Sequence, residues 1–166
     1  MKGESQAVVR ARTMSEQKTE RPEALAEFTL CIWLPVQWSD LDAFGHVNNT
    51  VAIRWFESSR IDYLRQSGLE EAFLQEGMGS ILASISCDYQ SQIYYPDTVC
   101  IGGRVSYLGN SSMKMKHAVY SVGQDAIVAS GEGVVVAFDY AAQKPRRILP
   151  EMRQMLCRLE SGLTDD

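Results

Sequence analysis

No run in this 166-residue chain approaches the ~20 apolar residues that a membrane-spanning helix needs. No apolar segment follows the first charges, Lys2 and Glu4, so nothing reads as a secretory signal. Histidine is scarce, with only His46 and His117. The four cysteines, Cys31, Cys87, Cys100 and Cys157, are far apart and form no C-x-x-C pair. A zinc site needs clustered ligands, so no metal is expected. Reduced core cysteines in a cytoplasmic protein are the expectation. The formal net charge is −5 and no basic run interleaves with aromatics, which speaks against nucleic-acid binding. Ser130-Gly131-Glu132-Gly133 does not match the G-x-S-x-G elbow of serine hydrolases, and no glycine-rich phosphate loop occurs.

What remains is ordinary globular material, 45% hydrophobic and long enough for one domain with a tail. Residues 1–25 carry scattered charges with little apolar periodicity and read as a disordered tail. The domain is expected over residues 26–160, with a short C-terminal tail over 161–166. A first strand is predicted from Glu27 to Trp38, where Phe28, Leu30, Ile32, Leu34, Val36 and Trp38 alternate with Thr29, Cys31, Trp33 and Gln37. No Gly or Pro interrupts Asn49 to Ser67, so a helix of about five turns is predicted, with Gly68 as its C-cap. Its apolar arc holds Ala52, Ile53, Phe56, Tyr63 and Leu64. A short helix is predicted over Leu69 to Gln75. Four strands follow, over Ile81–Gln90, Val99–Tyr107, Met113–Val122 and Ala126–Phe138, linked by short turns as in an antiparallel meander. Pro150 opens a last helix ending near Glu160. One strand, one long helix and four strands make an α+β domain, a sheet wrapped round a helix.

The chain turns on Trp38-Ser39-Asp40-Leu41-Asp42-Ala43-Phe44-Gly45-His46-Val47-Asn48-Asn49, which runs on to Glu57 and Arg60. Gly45 lets the backbone turn, and Asn48 or Asn49 can cap the helix. A helix start exposes unpaired N–H groups and a partial positive charge. Those groups could polarise a carbonyl oxygen while a loop carboxylate attacks it or activates a water. That is a minimal kit for splitting an ester or thioester.

D-x-D-x-x-G-H-V-N-N followed by F-E-x-x-R resembles the signature of hotdog-fold acyl-CoA thioesterases of the 4-hydroxybenzoyl-CoA thioesterase type, over roughly Phe28 to Leu156. The resemblance implies a hotdog fold, an antiparallel β-sheet wrapped around a long central α-helix. It implies Asp42 as nucleophile or general base, with an N–H near Asn49 binding the thioester oxygen. Asp40 fits loop orientation instead. Gly45, His46, Val47, Asn48 and Asn49 would shape the loop and helix start. Glu57, on the central helix, is the rival acid, and its plain reading is an i,i+3 ion pair with Arg60. One departure is Ala52, at a position where family members often carry Tyr. It puts the size of the acyl pocket in doubt.

The implied substrate is an acyl-CoA, with no cofactor beyond the coenzyme A it carries. CoA is a polyanion, and Arg104, Lys114, Lys116, Arg146 and Arg147 are the basic candidates to border it. Ser111 and Ser112, after a predicted Gly109-Asn110 turn, could touch the pantetheine. The resemblance further implies a homodimer or homotetramer with sites between protomers. An acyl-CoA hydratase of the same fold, a non-catalytic acyl-CoA-binding protein and an acyl carrier protein thioesterase stay open as alternatives.

Overall fold

Asn48 sits just outside the central helix and closes its start: the side-chain oxygen accepts the Thr50 N–H at 3.0 Å. From that cap the helix α1 runs over Asn49–Gln66. Ser67 ends it, and Gly68 follows at φ 77°, a conformation glycine adopts without strain. The computed structural model from which these details come describes residues 20–163. Residues 1–19 of the expected tail and residues 164–166 lie outside the described residues. The packed chain starts ahead of residue 26, because Glu23–Leu25 is a 3-10 turn with Leu25 fully buried.

Among the described residues, seven strands and three α-helices make up the domain. They are β1 (Leu30–Pro35), α1, α2 (Leu69–Gln75), β2 (Gly79–Ile85), β3 (Asp88–Tyr89), β4 (Thr98–Leu108), β5 (Ser112–Ser121), β6 (Ala126–Asp139), β7 (Lys144–Pro145) and α3 (Pro150–Leu159). The sheet is antiparallel in the order β1-β4-β5-β6-β2, and β3 and β7 also pair with β6. One face is filled by α1. Val51, Ala52, Trp55 and Phe56 pack on Val99, Ile101, Val119 and Val128. Tyr63 and Leu64, with α2 and α3, cover Val105, Met113, Met115 and Val135. Cys100 alternates with Val99 and Ile101, so it faces the other side, where Leu25 and Phe28 cover it. This is the hotdog fold.

Four expectations need correction. The first strand does not reach Trp38. Pro35 offers no N–H to a ladder, and the chain then closes a 3-10 turn over Trp38–Asp40, with the Gln37 N–H donating to Asp40 at 2.9 Å. Trp38 is 73% exposed and packs edge-on against Tyr95. The run from Ile81 to Gln90 is broken in two, with a register shift between Leu82 and Ser84. At the break the Ser86 carbonyl lies so close to Gly131 that a Cβ there would stand 2.0 Å from its oxygen. Only β4, β5 and β6 form a meander. The chain leaves α1 through α2, which packs against β2, and so enters the sheet beyond β6. On α1, Ile53 is only half-buried, while Val51, Trp55 and Ser59 join the buried face.

Between α1 and β5 lies buried His117, stacked on Phe56 with ring centroids 5.1 Å apart and its Nδ1 3.3 Å from the Ser59 hydroxyl oxygen. Burial first, and the Arg60 charge second, lower its pKa from 6.5 to about 4. The unfolded chain therefore binds a proton that the folded one refuses between those values. Stability is full above pH 6.5 and falls as the pH drops towards 4, by about 3 kcal/mol in total. Denaturant unfolding of His117→Asn across that range is expected to lack this component of the slope.

Candidate active site

A pocket of about 550 Å³ opens where the loop before α1 meets the segment after β3. Asp42, Phe44, His46, Val47, Asn48, Asn49 and Ala52 form one side of it, and Tyr89 to Ile93 form the other. The loop is tied to itself. The Asp42 N–H donates to the His46 carbonyl at 2.9 Å, and the Gly45 N–H donates to the Asp42 carbonyl at 3.1 Å. Gly45 makes the turn at φ 81°, the left-handed region. The Phe44 N–H donates to Asp42 Oδ1 at 2.8 Å, which leaves Oδ2 3.3 Å from His46 Nδ1. The loop is also tied to its surroundings. Val47 N–H donates to the Ile93 carbonyl and Asn48 N–H to the Asp40 carbonyl, both at 2.8 Å.

The two aspartates have different surroundings. Asp40 is buried, takes the Gln37 N–H on Oδ2 and the Arg54 guanidinium on Oδ1 at 3.1 Å, and lies on the far side of the loop from Asp42. At the helix start, Thr50 N–H is taken by the Asn48 side chain and Val51 N–H by the Asn48 carbonyl. Among the described residues the Asn49 N–H meets no acceptor. It stands at the positive end of α1, on the wall of the pocket that also carries Asp42.

The structure thus brings together Asp42, Gly45, His46, Val47, Asn48 and Asn49. The other expected residues lie elsewhere in this chain. The Glu57 side chain is 59% exposed, pairs with Arg60 at 3.5 Å and lines a separate depression with Asp40 and Arg54. Arg60 is half-buried below it, and burial lowers its pKa. Ser111 and Ser112 sit at the β4–β5 turn. That is the end of β4 remote from the loop, about 30 Å along an extended strand. Nor does any expected cation line the pocket. Arg104 reaches Glu27, Lys114 pairs with Glu132 and Arg146 with Glu76, while Lys116 stands opposite Arg104 and Arg147 is exposed on the turn before α3. Among the described residues no three His, Cys, Asp or Glu side chains gather as a metal site would require, and no helix is long and apolar enough to cross a membrane.

One wall was not legible in the sequence. Tyr89 and Gln90 read as the end of a regular strand, yet β3 stops at Tyr89 and the chain runs on from it through Ile93 as a strap along the pocket. Pro96, six residues past Gln90, stops a ladder from continuing but does not mark where the chain leaves it.

Comparison with known proteins agrees with the fold. The model of the thioesterase-like superfamily matches residues 36–156. The chain is similar to a thioesterase from Thermus thermophilus whose crystal structure holds coenzyme A and zinc, with 31% identity, TM-score 0.70, and coverage of 81% of this chain and 97% of that one. It is similar to the PA5185 protein of Pseudomonas aeruginosa PAO1, with 29% identity, TM-score 0.72, and coverage of 84% and 97%. Uncharacterized protein YsmA of Bacillus subtilis strain 168 is 30% identical over 82 residues, which span 49% of this chain and 54% of that relative.

Proposed function

This chain belongs to the thioesterase-like superfamily, and we propose that it hydrolyses an acyl-CoA to the free acid and CoA–SH. One observation carries the reading: a loop carboxylate, Asp42, and a helix-start N–H without an acceptor, that of Asn49, line one pocket. The thioester carbonyl oxygen would accept the Asn49 N–H. Asp42 would then take a proton from an attacking water, or attack the carbonyl carbon itself. Negative charge gathers on the carbonyl oxygen in either route, where the fixed N–H and the helix dipole stabilise it. Collapse of the tetrahedral intermediate expels the CoA thiolate, and in the second route water then hydrolyses the acyl–Asp42 anhydride to release the acid. His46 Nδ1, close to the carboxylate, holds Asp42 in place. The two routes differ in one label: single turnover in H₂¹⁸O places the isotope in the Asp42 carboxylate only if Asp42 is the nucleophile.

No lysine or arginine lines the pocket, so the phosphates of CoA would be held from outside it. A homodimer or homotetramer would bring a second copy's surface to that mouth. Wild-type protein offered short-chain, long-chain and aromatic acyl-CoAs is expected to release thiol from at least one class, read continuously with a thiol reagent. Binding without release on every substrate would replace the enzyme with an acyl-CoA-binding module. Release only from acyl carrier protein thioesters would change the donor and leave the chemistry as described.

A further inference from the structure

Across the pocket from the catalytic loop, the Tyr89 hydroxyl donates to the Asn49 carbonyl at 2.8 Å. This joins the two walls of the pocket by a side chain. Tyr89 is firmly based, because β3 pairs with β6 at Asp88↔Ser130 and Tyr89↔Ala129. The next residue continues the attachment, with Gln90 N–H donating to the Val128 carbonyl at 2.9 Å and the Gln90 amide to the Ser130 hydroxyl at 2.8 Å. Ala52, three residues along α1 from Asn49, lines the same pocket with only a methyl group. Removal from water, then the Cys87 thiol beside it, push the Tyr89 phenol up to about 12. The hydroxyl is therefore protonated at neutral pH and serves as a donor.

We propose that Tyr89 is a positioning residue for the reaction, fixing the first turn of α1 so that the Asn49 N–H stays aimed at the oxygen where charge develops. This rests on the thioesterase reading of the site. Asn49 is exposed, and beyond the Asn48 cap two contacts anchor the backbone on either side of its N–H. Behind it, the Asn48 N–H is anchored on the Asp40 carbonyl, and ahead of it the Asn49 carbonyl is anchored on Tyr89. A first helical turn frays when its end is unanchored. A donor that wanders by an ångström loses most of its advantage in the transition state, where the interaction strengthens, and little in the ground state.

Tyr89→Phe keeps the ring and removes only the hydroxyl. Its expected result is a kcat about tenfold lower, KM within twofold of wild type, an unchanged melting temperature and faster amide hydrogen exchange at the start of α1. Tyr107→Phe, at an exposed tyrosine on β4, is the control and should match wild type throughout. A Tyr89→Phe enzyme with wild-type kcat overturns the inference and leaves the thioesterase reading standing. A raised KM with kcat retained also overturns it, by making Tyr89 a wall for bound substrate. Absence of thiol release from wild type itself would bring down the thioesterase reading, and this inference with it.

Discussion

Asp42→Asn is expected to lower thiol release at least a hundredfold on whichever substrate wild type hydrolyses, with no change in melting temperature. A hundredfold corresponds to about 2.7 kcal/mol of transition-state stabilisation, the scale of a positioned acid or base. The substitution isolates charge from shape. Asn keeps an oxygen able to accept the Phe44 N–H now bound at 2.8 Å, so the loop should hold its turn. It lacks the negative oxygen that faces His46 at 3.3 Å, and with it the base or nucleophile. Glu57→Gln serves as the comparison, since that carboxyl is exposed and lines a different depression. Its expected effect is under threefold. If Asp42→Asn keeps half of the wild-type rate while Glu57→Gln loses a hundredfold, the acid has been misassigned and the helix supplies it.

The largest loss of stability is expected from a residue remote from the site. Glu160, one residue past α3, is 1% exposed, and its carboxylate is surrounded by donors. The Tyr63 hydroxyl donates to it at 2.6 Å, the Val105 N–H at 2.9 Å, and the Thr29 hydroxyl donates as well. Arg104 Nε lies 3.9 Å away. One side chain thus joins α1, β4, the start of β1 and the end of α3. Burial and the carboxylate raise the Tyr63 pKa well above the usual phenol range, so its hydroxyl remains a donor. Glu160→Ala strands those buried donors and the nearby guanidinium, which typically costs about 3–5 kcal/mol. For a domain of this size that is a fall of roughly 10 °C or more in Tm. Glu160→Gln, which keeps the shape and one acceptor, should lose about half as much. Thermal unfolding followed by circular dichroism separates the two. A Glu160→Ala protein within 2 °C of wild type would mean that water or a relaxed backbone satisfies the donors.

How far the sequence leads depends on the range of the interactions involved. The sequence places helix α2 at its observed ends, and α1 within one residue of them, because Asn48, Gly68 and the 3.6-residue pattern act within a turn or two. The loop is equally legible, since Asp42, Gly45 and Asn48 act on neighbours within five residues. What fails is what depends on distant partners. Trp38 continues an alternating pattern, but Asp40 closes a turn that pattern does not record. Ile81 to Gln90 alternate without a break, yet the contact between Ser86 and Gly131 bends the chain there. Ser111 and Ser112 look suited to a ligand, and the length of β4 carries them to the other end of the sheet. By itself, then, the sequence determined the order of the longer elements, the family and the acid loop with its capped helix start, all consequences of short-range periodicity and turn chemistry. Only the tertiary structure decided that β2 lies beyond β6, that Asp40 and Asp42 face apart and that Tyr89 reaches the helix start. Those outcomes depend on strand pairing and helix packing between residues up to about sixty positions apart, whose register no local pattern encodes.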